Sequence, residues 1–268
     1  MRPFLALDTA TDHLALAIGD LDAPGAVLAA ADFRAPRAAN TVVLLAAERL
    51  MESIALEPAS LEAVAVGRGP GSFTGVRIGA ATAKGLAHGL CVPLVGFGTL
   101  DAVAHNVGAE GLIGVVGDAM RGEVYPALFR AHAGTVVRLV RDRVAPPGQI
   151  AAEWAALGET VLLTGNGVAK HEGVLLAALG ERGVLASERL RVPNGPSILA
   201  AAWAADGDRT LMAIRGLERD AAYAAAHPGA MLPIYTRLSD AEEAERVRAG
   251  GESSLPDGGV AGPGEARA

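Results

Sequence analysis

Between the apolar run Ala63-Val64-Ala65-Val66 and the Ala- and Leu-rich run Ala80 to Leu90 stands Gly67-Arg68-Gly69-Pro70-Gly71-Ser72-Phe73-Thr74-Gly75-Val76-Arg77-Ile78-Gly79. The first run reads as a buried strand and the second as a helix. A strand, a glycine turn and a helix start gather backbone N–H groups into one cluster. Gly67, Gly69 and Gly71 permit backbone angles that other residues resist, and Pro70 fixes one of them. Ser72 and Thr74 are both good helix N-cap types. Inside the helix, Gly79 and Gly85 each cost about 1 kcal/mol relative to alanine. Gly75, Gly79 and Ala83 fall four apart on one nearly bare face, with Val76 and Leu86 flanking it. That face either packs on the chain's own sheet or lets another backbone come close. Arg77 in the first turn opposes the helix dipole, so an acidic partner or an anion is expected near it.

The chain opens with three strand-like runs: Phe4 to Thr11, Leu14 to Gly19, and Ala26 to Phe33. Their order is that of an antiparallel meander and not of a dinucleotide-binding start. A helix is predicted from Asn40 to about Ser53, with Val43, Ala47, Leu50 and Ile54 at helical spacing. After the central helix come a strand at Val92 to Gly96 and a helix opened by Thr99. Three strands followed by helix, strand, helix, strand, helix is the order of one actin-like, ribonuclease-H-like lobe. From Leu112 the pattern starts again. Strands are expected at Ile113 to Asp118, Val124 to Arg130 and Val136 to Val140, and Pro126 suggests an edge position. A helix through Ala156, a strand at Val161 to Thr164 ending in Gly165-Asn166-Gly167, and helices from His171 and Ile198 complete it. The expected fold is therefore α/β with two actin-like lobes, each a mixed sheet with helices. The lobes are expected over 1–109 and 110–238, and the Gly-rich stretch 239–268 as a disordered tail.

Composition narrows the function classes. Half the chain (51%) is hydrophobic but only 4% aromatic, so the core must be built from Ala, Val and Leu. A net charge of −7 argues against this chain alone gripping a phosphate backbone. No apolar run reaches the length of a membrane span, no signal peptide is read at the start, and a cytoplasmic location is expected. Cys91, the single cysteine, reads as a buried small hydrophobe. The six histidines never fall three to five apart, so no helix offers a paired metal site. Ser72 lacks the Gly-x-Ser-x-Gly elbow, because Pro70 stands where the first glycine belongs. Asp8-Thr9-Ala10-Thr11 ends the first strand where actin-like ATPases carry an acidic residue and a phosphate turn, but Ala10 replaces the turn's glycine. Asp8, Thr9, Gly71, Ser72 and Arg77 are the candidate nucleotide or anion contacts. The alternative is a strand-end aspartate with turn-forming threonines. Asp118, Arg121 and Glu123 form a polar cluster around Gly122.

Gly67 to Gly79 closely resembles the signature of the bacterial TsaB family, also called YeaZ. Supporting matches are Leu7 to Thr11, Asp118-Ala119-Met120-Arg121-Gly122-Glu123-Val124-Tyr125, Gly165-Asn166-Gly167 and Pro233-Ile234-Tyr235-Thr236-Arg237. The chain departs from the family pattern at Asn40, Pro126 and Thr236. The resemblance implies a non-catalytic, actin-like subunit that partners the catalytic subunit TsaD and works with the ATPase TsaE. Together they place threonylcarbamoyl on the adenosine beside the anticodon of certain tRNAs. It implies no cofactor of the chain's own, with ATP or ADP, where bound, at an interface between subunits. It implies tRNA contact only through the complex, no membrane partner, and a homodimer when the chain is alone. Family members dimerise through their first two helices, so Val43, Ala47, Leu50, Gly75, Val76, Gly79, Ala83 and Leu86 are the expected interface residues. The competing class is a self-sufficient actin-like ATPase, kinase or glycoprotease-like enzyme.

Overall fold

The computed structural model describes residues 1–207, 209–234 and 236. Two five-stranded sheets carry the molecule. The first contains β1 (Pro3–Asp8), β2 (His13–Asp20), β3 (Ala23–Arg34), β4 (Ala63–Gly67) and β5 (Leu94–Phe97), in the order β3-β2-β1-β4-β5. β1 pairs antiparallel with β2 (Leu5 opposite Ile18) and parallel with β4 (Leu5 opposite Val64). The second contains β6 (Gly111–Asp118), β7 (Val124–His132), β8 (Thr135–Arg138), β9 (Val161–Thr164) and β10 (Gly183–Leu185). Its order read from the other edge is β8-β7-β6-β9-β10, with the same strand directions. The chain thus builds one topology twice, and the two-lobe actin-like α/β architecture is present.

β1 is PFLALD, buried at every position, because both faces of the first sheet are covered. On one face, α1 (Ala39–Glu52) and α2 (Phe73–Leu90) bury Val43, Ala47, Leu50, Ala80, Ala83 and Ala87 against Leu5, Leu7, Leu16, Val64 and Val66. The other face offers small residues, among them Ala6, Ala15, Ala17, Ala63 and Ala65. It is covered by α6 (Gly195–Ala204), α7 (Leu211–Ile214) and α8 (Arg219–Ala225).

This cover corrects the expected lobe boundaries. Ile198, Leu199, Ala201, Leu211, Ile214 and Ala222 pack on the first sheet, so α6, α7 and α8 belong with lobe one and not with a lobe over 110–238. An apolar helix can cover either sheet, and its sequence does not say which.

In the second lobe, α4 (Pro147–Ala155) and α5 (Val168–Leu179) pack Ile150, Trp154, Val168 and Leu175 on one face. The other face is capped by α3 (Thr99–His105), through Leu100, Val103 and Ala104. α3 also gives Ala102 to the core of lobe one, so it is held by both lobes. Arg138 on β8 fixes it further, contacting Asp101 at 3.0 Å and Asp142 at 2.7 Å.

Two smaller expectations change. Pro126 is not on an edge strand, since β7 lies between β6 and β8. It does sit beyond the Phe129–His132 stretch that β8 pairs, so its missing N–H costs no ladder bond to β8. Cys91 is exposed. It takes the left-handed C-cap position of α2 (φ 52°), which directs its side chain away from the core. The expected tail over 239–268 lies outside the described residues, as do Tyr235 and Arg237.

Candidate functional site: a sealed turn and an outward helix face

The glycine turn is built around the end of β1. Asp8 is fully buried. The Thr99 hydroxyl donates to its Oδ2 (2.6 Å) and the Ala10 N–H to its Oδ1 (2.8 Å). Thr99 is in turn bonded twice to Gly69: its Oγ1 accepts from the Gly69 N–H (3.1 Å), and its own N–H donates to the Gly69 carbonyl (2.9 Å). Burial pushes the Asp8 carboxyl up to about 6, and the two hydrogen bonds pull it only partly back.

The glycines serve this packing. A Cβ on Gly67 would collide with Asp8 Oδ2, one on Gly71 with the Ala10 carbonyl, and one on Gly75 with the Thr9 carbonyl. A Cβ on Gly79 would stand 2.5 Å from Thr9 Oγ1. The Thr9 hydroxyl donates to the Gly75 carbonyl (2.7 Å) and the Ser72 N–H to the Ala10 carbonyl (2.7 Å). Ser72 caps α2 by accepting from the Gly75 N–H (3.3 Å). Arg68 donates through Nε to the Leu232 carbonyl (2.6 Å), and its own carbonyl accepts from the Ile234 N–H (2.8 Å). Leu232 and Ile234 are thereby strapped to the turn.

This geometry corrects two expectations. The bare face Gly75-Gly79-Ala83 is sunk in its own lobe, against β1 and β4. Val43, Ala47, Leu50 and Val76 are buried with it, and Leu86 is half-buried against the same cluster. The glycines are needed because the β1 backbone passes where side chains would be. Nor do Asp8, Thr9, Gly71, Ser72 and Arg77 converge on one anion site. Asp8 and Thr9 are sealed inside, Ser72 and Arg77 are exposed, and the Arg77 guanidinium lies 3.7 Å from the centre of the Phe73 ring. The cleft between the lobes, lined in part by Thr11, Gly71, Thr99, Asp118, Asn166 and Arg191, encloses about 10 Å³, room for roughly one water. Among the described residues, no group of three or more His, Cys, Asp or Glu is placed to hold a metal ion.

The outward side of α1 and α2 holds what the sequence reading missed. Leu44 (53% exposed) and Leu45 (52%) stand on α1, and Phe73 (37%) opens α2. Along α2 the exposed positions Ala81, Gly85 and Gly89 again fall four apart. Around Gly85 and Gly89 a Cβ would meet nothing within 4 Å, so nothing among the described residues requires those glycines. A bare ridge exists on this helix, but on a different face from the one expected. The spacing was visible in sequence; which of the two stripes faces the sheet was not.

The second lobe repeats the turn in another form. Asp118 ends β6 as Asp8 ends β1, and its Oδ1 accepts from the N–H two residues on, Met120 (2.9 Å). Asn166 accepts the Asp118 N–H (2.9 Å), and Lys170 stands 3.3 Å from Asp118 Oδ1. Met120, Arg121 and Gly122 all have positive φ, which makes the polar cluster a tight, exposed corner.

A doubled three-two-one-four-five sheet topology, with the β1 turn folded inward, defines a two-lobe protein of the actin-like class. The family described as "TsaD: tRNA N6-adenosine threonylcarbamoyltransferase" matches residues 34–187, more than half of the chain. A Bacillus subtilis (strain 168) protein named tRNA threonylcarbamoyladenosine biosynthesis protein TsaB is 30% identical over 175 residues, which are 63% of this chain and 67% of that protein. The solved structure of YeaZ from Pseudomonas aeruginosa is 27% identical, with a TM-score of 0.67 over 88% of this chain and all of that one. A second solved structure, described as an uncharacterized protein with similarity to peptidase YEAZ from Pseudomonas aeruginosa, has 24% identity and a TM-score of 0.68 over the same shares, and speaks for the fold. The chain belongs to the TsaB (YeaZ) family. Among the described residues, no helix is long and apolar enough to cross a membrane.

Proposed function

We propose that this chain works in tRNA threonylcarbamoyladenosine biosynthesis as a non-catalytic subunit that docks on a TsaD-like catalytic partner and activates it. The observation that carries the reading is the exposed side of α1 and α2: Leu44, Leu45 and Phe73 are exposed, and so are the small residues Ala81, Gly85 and Gly89. Exposed large apolar side chains together with a strip of small residues suit close helix-on-helix packing. The name of the Bacillus subtilis relative supports the pathway, and the family match supports kinship with the catalytic partner.

In this reading the chain brings no nucleotide site of its own, and ATP or ADP binds where subunits meet. Three features support that: the burial of Asp8, the Ala10 in the β1 turn, and the roughly one-water space between the lobes. A TsaE-like ATPase joins the assembled pair, tRNA is reached only through the complex, and the free chain uses the same two helices to pair with a second copy. The work is done in the cytoplasm.

The test is a tRNA modification assay with purified subunits, each omitted in turn. Omitting this chain is expected to abolish threonylcarbamoylation, and Leu45→Glu is expected to lower it at least tenfold while leaving the circular-dichroism spectrum unchanged. Full activity without the chain would overturn the reading. So would turnover of ATP or peptide by the chain alone.

A further inference from the structure

Asp8 is a fully buried carboxylate, and among the described residues no cation contacts it. The charged groups on the surrounding elements turn elsewhere: Asp101 to Arg138, Arg68 to the Leu232 carbonyl, Arg77 to the Phe73 ring, and Asp12 to Arg34. Among the described residues, its donors are the Thr99 hydroxyl and the Ala10 N–H. Thr99 is also the first residue of α3, the helix held by both lobes, and it lines the interlobe cleft. Asp8 is thus one hydrogen bond from the element that ties the lobes together.

We propose that the Asp8–Thr99–Gly69 bond set is a proton-operated latch on the interlobe cleft, closed when Asp8 carries a proton and loosened when it is ionised. Protonated Asp8 can donate to Thr99 Oγ1, which still accepts from Gly69, and nothing buried is charged. Ionised Asp8 needs the Thr99 proton and remains a buried charge held by two hydrogen bonds, which water entering between the lobes would solvate further. Opening at Thr99 hydrates the carboxylate, so ionisation and opening favour each other. The raised affinity of Asp8 for its proton agrees with this coupling. The latch follows from the chain's own geometry and does not depend on the proposed function.

The test is native-state hydrogen exchange on the full chain, corrected for intrinsic rates, followed at the amides of Gly69, Gly71, Ser72 and Thr99 to Val103. Between pH 5 and pH 8 the opening of these amides is expected to rise about tenfold in the wild type, and Asp8→Asn is expected to flatten that rise. Thr99→Val should open more than wild type with the larger excess at pH 8, and Thr99→Ser should restore the wild-type profile. A wild-type profile without pH dependence overturns the proposal, as does one that Asp8→Asn leaves unchanged. Should Asp8→Asn fail to fold, identical behaviour of Thr99→Val and Thr99→Ser overturns it equally.

Discussion

The two lobes place an aspartate at the same point of the same topology and treat it in opposite ways. Asp8 and Asp118 each end the central strand of a sheet, and each accepts the N–H two residues on. Around Asp8 the glycine turn closes so tightly that a methyl group at Gly67 would have no room, and the carboxylate loses all solvent. Around Asp118 the chain bulges outward through three positive-φ residues, and Lys170 shares the carboxylate with solvent. Topology therefore fixes where the aspartate goes, and the local glycines decide whether it can meet a ligand. Lobe one uses that position for internal structure.

Substitutions can break this comparison, beginning with the largest effect. Gly79→Leu drives a branched side chain into Thr9 and the Leu7–Val66 layer, and should cost more than about 3 kcal/mol in denaturant unfolding. Asp8→Asn comes next, through pH. The folded carboxyl, at about 6 against an ordinary 3.8, holds its proton more tightly than the unfolded one. Its stabilising contribution is complete below 3.8 and is lost as pH rises through about 6. The asparagine variant should therefore exceed wild type by roughly 2–3 kcal/mol at pH 7.5 and converge with it near pH 3.5, read from urea midpoints across pH. Removal of the Thr99 hydroxyl in Thr99→Val should cost about 1–3 kcal/mol at neutral pH by leaving Asp8 short of a donor. In lobe two, Gly173 inside α5 has open space at its Cβ position. Gly173→Ala should stabilise by up to about 1 kcal/mol in the same unfolding experiment. A similar penalty at Gly79 and Gly173 would mean that the two helices are not the contrast described.

Much of this was legible in the sequence. The succession of strands and helices, the doubled lobe and a cap at Ser72 or Thr74 followed from periodicity and residue type, and the family from the resemblance carried by Gly67 to Gly79. What failed was orientation. Gly75-Gly79-Ala83 and Ala81-Gly85-Gly89 have the same spacing and nearly the same composition, and only the path of β1 past Thr9 decides which is internal. The apolar helix after Gly195 was likewise readable as a helix, but its choice of the first sheet depends on the small-residue face there. Thr99 read as a helix cap. Its bond to Asp8 joins residues far apart in the chain and leaves no local signal.

The central claim is that the outward face of α1 and α2, and not the buried one, receives the partner. Titration calorimetry of a TsaD-like subunit with Gly85→Leu and Gly85→Ala tests it most directly. Gly85 points to open space, so both variants should fold and melt no lower than wild type, while leucine lifts the ridge away from whatever packs on it. The account predicts at least a tenfold loss of affinity for Gly85→Leu and a smaller loss for Gly85→Ala. Wild-type affinity in the leucine variant would contradict it.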